Sequence, residues 1–261
     1  TRRIIEMNDD IGAVILEPTG SGFGQTPVTR EFLQALREIT AKRDIILIFD
    51  EVVSGFRASR GGAQEFHNIV PDMASLAKIV AGGLPGGAIC GRKDLLDHLD
   101  FDVAVSKGLE KVGHQGTFNA NPLSSAAGVA TLKMVRDETP TQDAIDTASS
   151  IRAKVNQVFA DEGVRWAVYG QFSELHFFTN PDNVDIDPLN FEFMSRKCNF
   201  FKKDGETVNK FRLGLMVNGV DINGKLAGKV SAVHTEEDVD MTADAVRGAL
   251  DMLRSEGALP S

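Results

Sequence analysis

Lys78 is the residue of this sequence whose setting best suits a nucleophilic amine. It follows a short apolar run, Asp72 to Ala77, and precedes a turn rich in glycine and proline, Gly82 to Gly87. The apolar run predicts a buried strand of a parallel sheet, and the turn excludes a continuing helix. Ligands of open α/β sheets bind at the carboxyl ends of the strands. A partly desolvated lysine there can form a Schiff base with an aldehyde, but a solvated loop lysine remains the alternative.

Asp50 is the second candidate for chemistry. It comes directly after another apolar run, Ile45 to Phe49, and therefore at the carboxyl end of a predicted strand. A carboxylate in such a place needs a positive or hydrogen-bonding partner, because burying an unpaired charge is costly. That partner could be a ligand, or Asp50 could cap a helix or pair with Arg57. The sequence leaves these alternatives open.

The elements that carry these two residues predict an α/β fold. An apolar run at Ile11 to Leu16 is followed by an amphipathic helix, which we expect to begin at Thr26-Pro27 and to end near Arg43. The next apolar run leads to Asp50. Strand, helix and strand with this spacing indicate a right-handed crossover in a parallel sheet. The glycine-rich loop 19–24 lacks the spacing of a phosphate-binding motif, so we assign it no such role.

Asn121 and Pro122 predict the start of a long helix, with asparagine as its cap and proline in its first turn. The face of this helix is rich in small residues, which favours close packing against a neighbour. Thr117 lies just before the helix, where its hydroxyl could hold an anion or simply belong to a turn. His114 has no second histidine at metal-binding spacing, and we expect no metal site.

The hydrophobic pattern changes after residue 139. A helix is expected from Ala144 to Asp161, followed by shorter strands at Val164 to Tyr169 and at Glu174 to Thr179. We therefore expect residues 1–139 to form part of a large domain, and residues 140–261 to form a connecting helix and a smaller α+β domain.

The sequence of residues 140–261 also predicts its last elements and part of its core. The pattern around Phe211 fits either a strand or a helix, whereas Thr235 and Asp238 clearly cap a final helix. The core of this region should contain an aromatic cluster that comprises Phe191, Phe193, Phe200 and Phe201.

The composition excludes several classes of protein. A net charge of −9 and a pI near 5.1 argue against nucleic acids and anionic membranes as partners. The two cysteines, Cys90 and Cys198, suggest neither a disulfide framework nor a zinc site, and a cytoplasmic location is expected. The apolar runs are far shorter than the roughly 20 residues that a membrane helix needs. Because the sequence starts at Thr1 rather than methionine, we expect the natural chain to begin earlier.

Four segments, in the expected order and spacing, closely resemble class III aminotransferases, which are pyridoxal-phosphate enzymes of fold type I. They are LIFDEVVSGFR (Leu47 to Arg57), PDMASLAKIVAGGLPGGAICGR (Pro71 to Arg92), HQGTFNANPLSSAAG (His114 to Gly128) and SAVHTEEDVD (Ser231 to Asp240). The sequence is most similar to the glutamate-1-semialdehyde aminomutase branch, over most of the chain. The resemblance implies a mostly parallel sheet with flanking helices, the large domain of fold type I, followed by a smaller α+β C-terminal domain.

The resemblance also implies roles for individual residues. Lys78 is then the Schiff-base lysine, Asp50 binds the pyridine nitrogen of pyridoxal 5′-phosphate, and Val52 packs against its ring. Gly116 and Thr117 bind the cofactor, with Thr117 reaching the phosphate from the neighbouring subunit. The active unit would therefore be a homodimer with shared active sites.

The reaction implied is transfer of an amino group from an amine or a non-α amino acid donor to an α-keto acid. Lys78 would move the proton between the substrate carbon and the cofactor as a general base. Asp50 would keep the ring nitrogen protonated, so that the ring remains a strong electron sink. The sequence does not identify the donor.

Two departures from the family pattern bear on this assignment. Members normally carry well over a hundred residues before the strand at Ile11, including a phosphate-binding turn and an aromatic that stacks on the ring. Where the aminomutase branch has a glutamate, alignment back from Ser231 places Leu226, which disfavours the alternative of a glutamate-1-semialdehyde-type aminomutase. An alternative of another class is a non-catalytic paralogue that dimerises through the helix at Asn121 to Asp137.

Overall fold

The computed structural model describes residues 1–190, 198–200, 202 and 204–259 of the 261-residue chain. These residues form two compact units, each with its own sheet and core. The first unit comprises Thr1–Gly20 and Val28–Thr139, and the second comprises Ser21–Pro27 and the described chain from Pro140 onwards. The assignment of a large and a small domain to residues 1–139 and 140–261 stays a prediction.

The strands of the described residues are β1 (Ala13–Leu16), β2 (Thr26–Pro27), β3 (Ile46–Glu51), β4 (Met73–Ala77), β5 (Gly87–Gly91), β6 (Ala167–Tyr169), β7 (Glu174–Phe178) and β8 (Ala227–Lys229). The helices are α1 (Arg2–Met7), α2 (Ser21–Gly24), α3 (Arg30–Lys42), α4 (Gly62–His67), α5 (Lys93–Leu96), α6 (Phe101–Lys107), α7 (Pro122–Asp137), α8 (Pro140–Asp161), α9 (Gly205–Val217) and α10 (Glu236–Ser255). Short 3-10 turns occupy Lys78–Ala81 and Asp97–Leu99. None of these helices is both long enough and apolar enough to cross a membrane.

The sheet of the first unit has the strand order β1-β3-β4-β5. The first three strands are parallel, and β5 runs antiparallel to β4. This arrangement confirms the mostly parallel sheet with flanking helices. The buried side chains that form the core of this unit are Ile5, Leu33, Leu36, Ile45, Leu47, Phe49, Ile69 and Ala74.

Helix α3 begins later than the sequence suggested. Thr26-Pro27 forms the short strand β2, and the helix starts at Arg30 because Thr29 caps it: the Thr29 hydroxyl accepts a hydrogen bond from Phe32 N–H at 3.2 Å. Proline suits an extended segment as well as a first helical turn, so Pro27 did not define the start. The end of α3 at Lys42, with Arg43 as cap, confirms the expected boundary.

Asp72, just before β4, holds the amino ends of two strands together. Its carboxylate accepts hydrogen bonds from Leu47 N–H at 2.8 Å, from Arg37 at 2.8 Å and from Arg92 at 3.2 Å. Burial opposes ionisation of this group, but the Leu47 hydrogen bond and the two arginines outweigh it, so the pKa of Asp72 lies below its usual value. At the amino end of the β3–β4 pair, the Asp72 carboxylate is therefore fully occupied by protein partners.

The second unit contains an antiparallel sheet of order β6-β7-β8 and the helices α8, α9 and α10. The stretch around Phe211 is helical and belongs to α9, whose N-terminus is capped by Asp204. The predicted capping of α10 is confirmed, because Thr235 and Asp238 form a reciprocal capping box. Phe200 of the predicted aromatic cluster is buried and stacks on Tyr169, whereas Phe191, Phe193 and Phe201 lie outside the described residues.

Candidate active site

The parallel pairing of β3 with β4 brings Asp50 and Lys78 to the same edge of the sheet. Asp50 lies opposite Ser75 in the register, and Lys78 directly follows the end of β4. Strand β3 continues to Glu51, so Asp50 is the second-last residue of the strand and does not follow it as predicted. Both residues nevertheless lie at the carboxyl ends of adjacent parallel strands, which is where α/β sheets bind ligands.

Lys78 begins the 3-10 turn Lys78–Ala81, which we call the lysine turn. Its side chain is exposed, and its Nζ donates a long hydrogen bond to the Val52 carbonyl oxygen at 3.4 Å. Its backbone has a φ of +56°, a left-handed conformation that is uncommon for a residue with a Cβ. Such a conformation costs on the order of 1 to 3 kcal/mol and persists only where the surrounding structure enforces it. The lysine is therefore held in a strained backbone position.

Asp50 is half-buried and oriented by two donors. Its Oδ1 accepts hydrogen bonds from Val52 N–H at 3.1 Å and from the Ser75 hydroxyl at 3.3 Å. Within the described part of the chain it forms no ion pair, so the suggested pairing with Arg57 is absent from these residues. A carboxylate with a fixed orientation and no cation among these residues is suited to bind a positively charged ligand atom.

Val52 links the two candidates through its backbone. Its N–H donates to Asp50, and its carbonyl oxygen accepts from Lys78. The sequence suggested a side-chain role for Val52 against a ring, which stays a prediction. The backbone bridge was not anticipated, since backbone hydrogen bonds between separate strand ends leave no mark on residue type.

Glu51 was also missed by sequence reasoning. It is fully buried on the face of β3 opposite Asp50, as alternation along a strand requires. Its carboxylate accepts from Ala63 N–H at 2.7 Å and Gln64 N–H at 3.0 Å, two amides in the first turn of α4. A Cβ on Gly62 would lie 2.4 Å from Glu51 Oε2. The sequence signal for Glu51 was an acidic residue at the end of an apolar strand with a glycine pair downstream.

Gly116 and Thr117 lie in an exposed segment before α7. Among the described residues no hydrogen bond joins either of them to Asp50, Val52 or Lys78. The predicted cap of α7 is confirmed, because Asn121 Oδ1 accepts from Leu123 N–H at 3.0 Å and from Ser124 N–H at 3.2 Å. The roles of Gly116 and Thr117 toward a cofactor stay predictions.

A cavity of about 660 Å³ lies beside β4, β5 and the start of α7. Its lining includes Ser75, Leu76, Ile89, Asn121 and Ser124, but neither Asp50 nor Lys78. Its volume falls in the range of small-molecule sites, roughly 300 to 1,000 Å³. The reactive side chains therefore define the candidate site better than the cavity does.

The family model of class-III aminotransferases matches residues 2–173 of this chain. The glutamate-1-semialdehyde 2,1-aminomutase of Methanosarcina acetivorans is 35% identical over 245 residues, which are 93% of this chain and 54% of the relative. The enzyme of the same name from Chloroherpeton thalassium is 33% identical over 252 residues, again covering 54% of the relative. The chain thus spans about half the length of the curated relatives it matches.

Solved structures have the same fold, and this chain again covers about half of each of them. An omega-transaminase from Sphaerobacter thermophilus superposes with a TM-score of 0.82 and 29% identity over 97% of this chain and 55% of its own. A β-phenylalanine aminotransferase from Variovorax paradoxus gives a TM-score of 0.79 and 26% identity over 99% of this chain and 56% of its own. These similarities support the fold that the sequence motifs implied.

Both of these curated relatives carry the name of the aminomutase that the sequence analysis gave as an alternative to a transaminase. The sequence argument against that alternative is that Leu226 stands where the aminomutase branch has a glutamate. Only 1% of Leu226 is exposed, and its side chain belongs to the hydrophobic core of the second unit. A buried leucine therefore occupies the position at which the aminomutase branch has a glutamate, and the missing carboxylate remains an argument against that reaction.

Three observations indicate the same family. They are the lysine and carboxylate at two adjacent strand ends, the family-model match to residues 2–173, and the identities of 33 to 35% with curated relatives. A non-catalytic paralogue that dimerises through the helix at Asn121 to Asp137 would belong to the same family, so that alternative stays a prediction. The chain belongs to the class-III aminotransferases.

Proposed function

We propose that the complete protein uses pyridoxal 5′-phosphate to move an amino group on small substrates, with Lys78 as the residue that binds the cofactor covalently. The observation that carries this proposal is the placement of Lys78 and Asp50 at the carboxyl ends of adjacent parallel strands, bridged by Val52. The family membership of the chain supports the same cofactor.

The residues present fit this cofactor at two points. The Lys78 amine makes one long hydrogen bond and no ion pair within the described chain, so it can react with an aldehyde. The Asp50 carboxylate, oriented by Ser75 and Val52, can hold a protonated ring nitrogen. We propose that Gly116 and Thr117 contact the cofactor, and that Thr117 reaches its phosphate from the neighbouring subunit of a homodimer.

Bound pyridoxal phosphate supplies an electron sink for the substrate carbon. Residues of this chain would supply the proton carrier and the carboxylate for the ring nitrogen. Lys78 Nζ would carry the proton between the substrate carbon and the cofactor, and the Val52 carbonyl keeps that amine near the strand end. Asp50 stabilises the proton on the ring nitrogen by its negative charge, while Ser75 and the Val52 N–H hold the carboxylate in place.

The first candidate reaction is an aminomutase of the glutamate-1-semialdehyde type. Curated relatives with identities of 33 to 35% carry this name. In that case the amino group returns to the same carbon skeleton, and an isomer of the substrate is released. No separate keto acid is consumed.

The second candidate is a transaminase that acts on an amine or a non-α amino acid. The omega-transaminase with 29% identity and a TM-score of 0.82 supports it. This reaction passes the amino group to an α-keto acid, so product formation requires one acceptor molecule for each donor.

The test of cofactor and anchor uses the full-length protein with added pyridoxal phosphate. We expect a yellow absorption band that borohydride abolishes, and a reduced adduct that peptide mass analysis places on Lys78. Lys78→Ala should lack this adduct, whereas Lys133→Ala, at an exposed lysine of α7, should retain it. An adduct on other lysines only would overturn the proposal.

The two reactions are separated by the need for an acceptor. The loaded protein is given glutamate-1-semialdehyde alone, and then a panel of amines with and without an α-keto acid. An isomer formed from the single substrate identifies the aminomutase. Turnover that appears only when keto acid is supplied identifies the transaminase.

A further inference from the structure

The lysine turn lies directly against helix α7, with backbone touching backbone. Val80, in this turn, presents its carbonyl oxygen to Gly128 of the helix. Gly82, which ends the turn with a φ of +62°, faces the carbonyl of Ala127. The turn that begins with Lys78 is therefore seated on the middle of α7.

Two glycines make this approach possible. A Cβ built on Gly128 would lie 2.4 Å from the Val80 carbonyl oxygen, and one built on Gly82 would lie 2.5 Å from the Ala127 carbonyl oxygen. Real Cβ atoms essentially never come within 3.0 Å of another atom in this way. Neither neighbour is a flexible side chain, so a methyl group at either glycine has to move the backbone.

The contact between the lysine turn and α7 bears on the backbone conformation of Lys78. A φ of +56° at a lysine persists only where its surroundings enforce it. The contact of Gly128 with Val80 fixes the chain two residues after Lys78, and Ala77 is fixed before it by its pairing with Gly87 in the sheet. The strained residue is thus clamped from both sides.

We propose that Gly128 is a positioning residue for Lys78. It holds the lysine turn at the distance from α7 that directs the Lys78 amine toward Val52 and the Asp50 end of the sheet. This inference rests on the proposed function in one respect, since it assumes that the amine of Lys78 is the reacting group.

Gly128→Ala separates this role from helix propensity. Replacing a glycine inside a helix by alanine normally stabilises the helix. Here the methyl group must displace the Val80 carbonyl and with it the lysine turn. A displacement of about 1 Å at a reacting group can lower turnover about a hundredfold.

The matched control is Gly214→Ala. Gly214 lies inside α9 of the second unit, and its Cβ would lie 2.9 Å from the Ala249 Cβ and 3.0 Å from the Ala249 Cα. The substitution is chemically the same and also crowds a helix contact, but it is in the unit that does not contain Lys78.

The experiment compares both variants with wild type as full-length protein. The first readout is hydrogen exchange of peptides covering residues 78–83, measured without cofactor. The second is kcat and KM of the loaded enzyme. We expect faster exchange in these peptides and a kcat about a hundredfold lower for Gly128→Ala, with KM nearly unchanged. Gly214→Ala should lower the melting temperature and leave both readouts at the wild-type level.

Wild-type exchange in the lysine turn of Gly128→Ala would overturn the inference, and so would equal losses of kcat in both variants. If Gly128→Ala does not fold, Lys78→Gly/Gly128→Ala should recover folded protein, because a glycine at position 78 can follow the shifted turn without strain. Failure of that recovery would also overturn it. If wild type forms no adduct at Lys78, the proposed function fails, while the exchange comparison still decides whether Gly128 holds the turn.

Discussion

The β3–β4 strand pair has a carboxylate at each end, and the two carboxylates differ in their bonding partners. At the amino end, Asp72 is saturated by Leu47 N–H and by the guanidinium groups of Arg37 and Arg92. At the carboxyl end, Asp50 is oriented by two neutral donors and meets no cation among the described residues. A carboxylate with all its partners stabilises the fold, whereas one that is only oriented is available for a ligand. We therefore expect Asp72 to contribute to stability and Asp50 to contribute to ligand binding.

The largest effect should come from Lys78→Ala. Removing the amine removes the covalent anchor and the proton carrier together, so we expect turnover to fall by about four orders of magnitude or more. The measurement is kcat of the full-length enzyme loaded with pyridoxal phosphate. Near wild-type turnover would show that the reacting amine lies elsewhere.

Asp50→Asn tests the carboxyl end of the comparison. The amide keeps the size of the side chain but cannot stabilise a proton on a ring nitrogen, so kcat should fall roughly 10²- to 10³-fold. The melting temperature without cofactor should change little, because Asp50 forms no ion pair in the described chain. A large loss of stability with little loss of turnover would reverse the roles that we assign to the two ends.

Asp72→Asn tests the amino end. It weakens two ion pairs and a charged hydrogen bond, and we expect a loss of about 2 kcal/mol in the free energy of unfolding, since hydrogen bonds to charged groups contribute on that scale. The kcat of the loaded enzyme should stay within a fewfold of wild type. Urea unfolding and steady-state kinetics of the same preparation measure both.

The pH dependence of Asp72→Asn gives an internal check. The folded pKa of Asp72 lies below its usual value of 3.8, so its contribution is complete above that pH and is lost as the pH falls below it. The difference in unfolding free energy between wild type and Asp72→Asn should therefore shrink in acid. A difference that stays constant from neutral pH to about pH 2 would contradict a stabilisation carried by charge.

The smallest effect concerns the strain at Lys78. Lys78→Gly and Lys78→Ala are both expected to be inactive, but glycine adopts the left-handed φ of +56° without penalty. Lys78→Gly should therefore be more stable than Lys78→Ala by about 1 kcal/mol in unfolding free energy, after the greater flexibility of glycine in the unfolded chain is set against the relieved strain. Equal stabilities would mean that the backbone at position 78 is relaxed.

Much of this end of the sheet follows from local sequence. Asp50 and Lys78 each stand where an apolar run stops, and the strands that the runs predict are present at Ile46–Glu51 and Met73–Ala77. The start of α7 was recognisable because Asn121 and Pro122 carry a local capping signal. Such features involve residues within one or two turns of each other, which periodicity and capping rules describe well.

The missed features depend on contacts between distant residues. Glu51 binds amides that lie in another element, and Gly128 touches Val80 across two elements. The burial of Leu226 likewise depends on the packing of the whole second unit. No rule of spacing describes these contacts, because their partners become neighbours only when the chain has folded. The sequence shows that position 226 carries no carboxylate, but it does not show that this side chain lies in a core.

The bridge through Val52 also has an evolutionary consequence. Both hydrogen bonds that connect Asp50 with Lys78 use the backbone of Val52, so exchange of its side chain leaves them in place. Proline is the exception, since it has no N–H to donate. A change of side chain at position 52 therefore leaves the bridge in place and alters only the contact with the cofactor ring that the family resemblance implies. The two functions of this residue, one of its backbone and one of its side chain, can thus change independently.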